Sequence, residues 1–235
     1  MKKKIICLTT VLLLSQNLAM AESDYYISPQ VGFSYQNNKV NFEPINRVGP
    51  EITKERFKRS EVYDLTLGKK IYDNTFLELE VVHAPNRKFS KTALIEYINP
   101  EEEKFSTKIS NTSVFANVAY QFKNYIPMPI TPYLLAGIGC SFNKIKDIKT
   151  GFSNAPVTIL GKNGSSFAYQ IGVGFLVPIT KNIDANLGYR YRNLGTVKSS
   201  NQYVDVVSGQ SDFSTPVLKG KLHTSDILLG VAVYF

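Results

Sequence analysis

The 235-residue chain contains no tryptophan, two histidines and two cysteines. Cys7 falls in an N-terminal apolar run, so Cys140 is the single thiol of the rest, which excludes an intramolecular disulfide. Zinc-ligand spacings, a nucleophile elbow and a Gly-Lys-Ser/Thr phosphate loop are all missing. Gly161-Lys162-Asn163-Gly164-Ser165 is glycine-rich but lacks that ending and reads as a loop. After the N-terminal run no segment approaches the roughly 18 uninterrupted apolar residues of a spanning helix, which excludes a helical membrane protein. His83 is followed by Ala84-Pro85 with no neighbouring serine and no aligned acid, whereas a histidine base needs an oriented partner. His223 reads as an ordinary residue near a rim. No enzyme activity and no cofactor or metal site is expected, and Cys140 reads as a small apolar side chain. The formal charge is +8, of which Lys2, Lys3 and Lys4 supply three, leaving a mild +5 spread over the remainder. A nucleic-acid partner would require a basic face with stacking aromatics and is not expected.

Tyrosine and phenylalanine are abundant, 14 of each, and they fall in alternating rows. In the last segment Ile227, Leu229, Val231, Val233 and Phe235 are apolar at every second position, while Asp226, Gly230, Ala232 and Tyr234 occupy the other face. At the other end, Met1-Lys2-Lys3-Lys4, the apolar run Ile5 to Leu14 and Ala19-Met20-Ala21 have the three parts of an export signal. Residues 1–21 are therefore expected to be a cleaved signal peptide and 22–235 a single domain. Eight strands are expected, from about Tyr25 to Val40, Ser60 to Tyr72, Thr75 to Phe89, Phe105 to Phe122, Pro132 to Lys149, Phe167 to Val177, Asp184 to Ser199, and the closing strand. The connections alternate. Asn41 to Arg59, Ser90 to Lys104, Gly151 to Gly164 and Ser200 to Pro216 are long and polar. Asp73-Asn74, Lys123 to Thr131 and Pro178 to Ile183 are short.

Alternation alone also fits a soluble carrier with its apolar row inward. The leader, the terminal Phe235, the aromatic strand ends and the unequal connections select the opposite polarity. The expectation is an all-β, eight-stranded, antiparallel up-and-down transmembrane β-barrel in the bacterial outer membrane, long loops outside the cell. Hydrocarbon leaves an open sheet edge unsatisfied, so the first and last strands must pair.

Eight strands leave a lumen filled by side chains. The inward rows carry Asp64, Lys70, Glu78, Glu80, Arg190, Arg192 and Asp226. Buried charges require partners, so arginines of the seventh strand are expected to bridge carboxylates of the second, third and eighth. Such a network is either the polar packing of a plugged barrel or a gate for a narrow pore.

Asn186-Leu187-Gly188-Tyr189-Arg190-Tyr191-Arg192-Asn193-Leu194-Gly195, then a long loop and a strand ending at Phe235, resembles the small OmpA/opacity-like surface barrels, including adhesins and surface antigens of rickettsia-like bacteria. Pro132-Tyr133-Leu134-Leu135-Ala136-Gly137-Ile138-Gly139 is similar to the fifth strand of that family. Gly230, Val233 and Phe235 match its assembly signal, implying the barrel-assembly machinery as a partner, although Leu228 stands where a polar residue is usual. The resemblance implies surface exposure and host attachment through the loops. In the first loop Arg47, Lys54, Arg56, Lys58 and Arg59 form a basic cluster suited to acidic glycans or host glycoproteins, or to lipopolysaccharide phosphates. No Arg-Gly-Asp triplet is present. A host-attachment adhesin or surface antigen is the expected function, and a narrow porin gated by the internal arginine–carboxylate network is the alternative.

Overall fold

The computed structural model describes residues 24–42, 53–55, 58–95, 101–123, 129–152, 155–205, 209, 211–213 and 218–235. The expected signal peptide, residues 1–21, lies outside the described residues. Among the described residues fourteen strands occur, in chain order: β1 Tyr25–Gln36, β2 Val40–Phe42, β3 Thr53–Glu55, β4 Ser60–Tyr72, β5 Thr75–Ile95, β6 Glu101–Gln121, β7 Thr131–Ile145, β8 Ile148–Phe152, β9 Ala155–Ile159, β10 Lys162–Thr180, β11 Ile183–Lys198, β12 Gln202–Asp205, β13 Ser211–Phe213 and β14 Leu218–Tyr234. Eight of them are the staves of a closed antiparallel barrel, in the order β1, β4, β5, β6, β7, β10, β11, β14 and back to β1. The closing ladder runs from Tyr26 opposite Tyr234 to Gln36 opposite Thr224. No stave has a free edge in the span, so backbone groups are satisfied without water.

The side chains sort by the two-residue period. Val31, Ile138, Phe167, Ile171 and Leu229 point outward and are exposed, whereas Ser28, Gln30, Asn117, Gln170 and Asp226 on the alternate positions are buried. A barrel with an apolar outer wall and a polar interior belongs in hydrocarbon; a soluble carrier has the reverse. Cys140 sits on the outer wall among the apolar residues. Val233, expected outward, is buried instead; its register partners Ile27 and Ile183 flank it at the end of the sheet.

The staves on the long-connection side run well past the apolar belt. The expected loop Ser90 to Lys104 is largely sheet, since β5 and β6 stay paired out to Ile95 opposite Glu101. The expected loop Gly151 to Gly164 contains the end of β8, β9, which pairs with it, and the start of β10, and the fifth stave ends at Ile145 rather than Lys149. Ser200 to Pro216 contains β12 and β13, and β12 adds to β9. Asn41 to Arg59 contains β3 and part of β2, which pairs with β14. Polar composition suggested loops at these places. Continuing a hairpin nevertheless gives each amide and carbonyl a partner that a loop must find elsewhere.

Above the belt the wall reverses polarity. Ile109, Ile145, Ile148, Ile159, Leu218 and Leu222 are buried in one apolar cluster with Val62, Phe115 and Leu228. The positions between them, such as Lys108, Lys144, Lys146, Lys219 and Lys221, are exposed. The projecting part is thus built like a water-soluble β-barrel, and the spanning part like its inverse.

Of four one-residue register shifts among the described residues, the two on the long-connection side change which side chains face the lumen above them. Between Ala84 and Arg87 the register slips at Asn86, whose φ of 51° lies in the left-handed region that Asn tolerates. Between Asn193 and Thr196 it slips at Gly195, with φ 75°. A Cβ there would lie 2.1 Å from Cβ of Ser166, so only glycine fits. After these bulges Arg87 and Val197 turn into the lumen.

The polarity of the spanning wall predicts the effect of Ile171→Arg. A cation at this outward position, level with Ala136 and Tyr191, should cost about 2–4 kcal/mol of folding into bilayers. Urea titration of vesicle-inserted protein, read by heat-modifiable electrophoretic mobility, measures it. Lys221→Arg, on the projecting wall, should leave stability unchanged.

Candidate functional site

The lumen is layered. At the short-turn end Tyr26, Phe76, Ala119, Tyr133, Leu135, Leu176 and Ala232 form an apolar floor, with Tyr234 packed against it. Tyr26 meets Phe76 edge-on at 5.5 Å between centroids. Just above, a small cavity with room for about one water is lined by residues including Gln30, Glu78, Tyr133, Asn186 and Arg190.

The charged layer follows, and its hub is Arg192, fully buried. Nη2 donates to Asp64 Oδ2 at 2.7 Å and to Glu80 Oε1, Nη1 donates to Asp226 Oδ2, and Nε donates to Gln170 Oε1 at 2.7 Å. One planar guanidinium therefore ties carboxylates from β4, β5 and β14 to β11, a geometry that an ammonium cannot supply. Glu80 also accepts from Asn117 at 2.6 Å and from Gln170. Asp226 accepts from Ser34, which in turn accepts from Arg87 Nη2. Seven of the eight staves thus meet in one connected set of charged, amide and hydroxyl groups.

Asp64, Glu80, Arg192 and Asp226, all singled out from sequence, converge in this hub. Glu78 and Arg190 do not enter an ion pair with it. Glu78 accepts from Tyr26 and, at 3.4 Å, from Asn117. Arg190 lies one layer lower. It donates to Tyr133 Oη at 3.0 Å and to the Tyr189 carbonyl at 3.3 Å, and its guanidinium sits 5.3 Å from the Tyr133 ring centroid. Neighbouring staves clear its path: a Cβ on Gly172 would lie 2.5 Å from Arg190 Cδ. Lys70 stands at the short-turn rim, its amide bonded to the Asp24 carbonyl at 2.6 Å.

Arg87 was missed. Simple alternation from Glu78 and Glu80 places it outside, and the Asn86 bulge reverses that. It is buried, and beyond Ser34 its Nε and Nη1 have no hydrogen-bond partner among the described residues. Also missed were Val62, Phe115 and Leu228, which are buried in one apolar cluster beside the charged layer, the Phe115 ring centroid 6.0 Å from the Arg192 guanidinium. The sequence marks them by apolar residues breaking into an otherwise polar inward row.

Of the basic loop cluster, Lys58 and Arg59 are exposed, and Arg59 lies 5.3 Å from the Phe33 ring centroid. Arg47 and Arg56, and the side chain of Lys54, fall outside the described residues. Gly230 and Phe235 lie at the short-turn end of β14, where Phe235 stacks on Tyr25 at 6.3 Å and exchanges backbone bonds with it. His83 is exposed on the outer wall with Thr112 Oγ1 2.9 Å from Nδ1, a cross-strand hydroxyl that sequence neighbours did not reveal. His223 Nδ1 lies 3.0 Å from Tyr191 Oη. No group of acids, histidines and cysteines among the described residues could hold a metal ion.

A family model for the outer membrane protein beta-barrel domain matches residues 5–235. The outer membrane protein PagN of Salmonella typhimurium is 28% identical over 145 residues, 60% of this chain and 57% of that protein. RC1281 of Rickettsia conorii, named as a candidate adhesin, is 30% identical over 152 residues, again 60% of this chain and 57% of that protein. The chain thus spans a little over half the length of these relatives. Among solved structures, Neisserial surface protein A superposes with a TM-score of 0.54 at 14% identity, covering 91% of this chain and 98% of that one, a likeness of fold.

The hub predicts an unequal effect of its two arginines. Arg192→Gln leaves three buried carboxylates without their cation and should cost about 3–5 kcal/mol. Arg190→Gln, which removes bonds to a phenol and a carbonyl, should cost clearly less. Equilibrium urea unfolding of both variants in the same micelles decides it; equal losses would show that Arg192 is no hub.

Proposed function

Because the chain belongs to the outer-membrane β-barrel family, we propose that it is a non-enzymatic surface protein that attaches its cell to host cells through the parts of the barrel projecting beyond the membrane. It is a bacterial outer-membrane protein. The observation that carries the reading is the combination of a filled lumen with a wall that continues far above the apolar belt as paired strands. Such a barrel offers little to a solute and a great deal of rigid surface to a partner. The name of RC1281 as a candidate adhesin points the same way. The contact surface is basic at Lys58 and Arg59, which suits an acidic host glycan or glycoprotein, and Arg47, Lys54 and Arg56 would extend it. Gly230, Val233 and Phe235 would be read by the barrel-assembly machinery during insertion. The burial of Val62, Phe115 and Leu228 beside the charged layer favours this function over a pore gated by the arginine–carboxylate network.

Displaying the full chain on a non-adherent Gram-negative strain should confer attachment to cultured host cells, and grafting the four outer connections onto an unrelated barrel should transfer it. Lys58→Ala with Arg59→Ala should reduce attachment several-fold at low salt and less at high salt, roughly as expected for rim charges. Loss of function in both display and graft would remove the proposal. Purified protein in planar bilayers should be silent; stable openings altered by Arg190→Ala would establish the pore instead.

A further inference from the structure

Above the apolar belt, lysines of neighbouring staves stand side by side on the outer wall. Lys88 on β5 is the register partner of Lys108 on β6. The amide of Lys146, just past β7, donates to the Lys108 carbonyl at 2.9 Å. All three lysines are exposed, while Arg87, Thr107, Ile109 and Ile145 between them are buried in the lumen. Lys144, two residues below Lys146, is exposed as well. Across the ring Lys198 and Lys219 are opposed in the same manner. Strands lie about 4.8 Å apart, and like charges directly opposite on a ladder repel. Among the described residues none of Lys88, Lys108 and Lys146 has an ion-pair partner, and the adjacent acid, Asp147, accepts the Gly161 amide at 2.7 Å.

The level of this row identifies what faces it. On β6 the outward residues run Val118, Ala116, Val114, Thr112, Ser110, Lys108. The row thus lies four residues past Thr112, about 13 Å along the strand and roughly 10 Å higher along the barrel axis at the usual tilt. On β7 the last outward apolar side chain, Phe142, is followed directly by Lys144. Ile138 and Phe142, below the row, are exposed apolar side chains of the outer wall, so a side chain pointing sideways from the wall at the height of the lysines is expected to meet headgroups rather than acyl chains.

We propose that Lys88, Lys108 and Lys146 form a docking row for the phosphate groups of the outer leaflet's own glycolipid. The ammonium groups supply point charges to phosphate oxygens, and the paired strands hold them at a fixed spacing. The proposal rests on the outer-membrane placement and is independent of host attachment.

The test titrates purified full-length protein in neutral micelles by calorimetry with diphosphorylated lipid A, dephosphorylated lipid A and a heparin-type sulfated oligosaccharide. K88A/K108A/K146A should weaken diphosphorylated lipid A by at least about tenfold, leave the dephosphorylated form unchanged, and be rescued by K88R/K108R/K146R. Heat-modifiable mobility reports folding; should the triple alanine variant not fold, K108E alone should produce the same selective loss. Equal binding of the two lipid A forms by the unmodified protein would overturn the proposal. So would retention of its affinity for diphosphorylated lipid A by the alanine variant, or loss confined to the sulfated oligosaccharide.

Discussion

Hydrocarbon offers a peptide group nothing to bond to. In water an unpaired strand edge is a minor cost; inside a bilayer each orphaned amide or carbonyl costs several kcal/mol, roughly. The pairing of β1 with β14, from Tyr26 opposite Tyr234 to Gln36 opposite Thr224, is therefore the contact on which the rest depends. Once the ring closes, one face of every stave meets lipid and the other is removed from both lipid and water. The outer row must then be apolar. Polar groups of the inner row must then find partners in one another, as nearly all do among the described residues, Nε and Nη1 of Arg87 being exceptions.

Arg192 answers the second requirement. Desolvating an arginine and three carboxylates is expensive, and the compensation lies in geometry. Its guanidinium spans Asp64, Glu80 and Asp226 while Gln170 and Asn117 take up remaining bonding capacity. The arrangement couples strands far apart in sequence, so the hub is complete only when the ring is closed. Above it the solvent changes, and the wall changes with it: Ile109, Leu218 and Leu222 turn inward, and lysines turn out. One chain thus solves the packing problem twice, in two solvents, with the same ladder.

Much of this was legible in the sequence, because a strand in a barrel of known polarity declares its faces. Ile227 and Leu229 against Asp226, and Phe167, Ile171 and Val173 against Gln170, assign the outer row without coordinates. The carboxylates of the hub followed from the same parity. The misses have physical causes. Asn86 and Gly195 each insert one residue, and a one-residue slip sends every later side chain to the opposite face; Arg87 was lost that way. The projecting sheet was hidden because its strands lack an apolar outer row, the very signal used to find the others. Its trace was present nonetheless. On β14 Ile227 and Leu229 place apolar side chains at odd, outward positions, whereas the apolar residues before them, Leu218 and Leu222, fall at even, inward positions, a change that marks the passage from lipid to water.

The outward row is tested most directly by site-directed spin labelling in a Cys140→Ser background, with the full chain in lipid bilayers. Nitroxides at positions 118, 171 and 229 are predicted to collide readily with oxygen and hardly at all with a water-soluble nickel chelate. A label at position 108 should show the opposite preference. Strong nickel accessibility at 118, 171 and 229 would mean that these side chains meet water, and the account of the wall would be wrong.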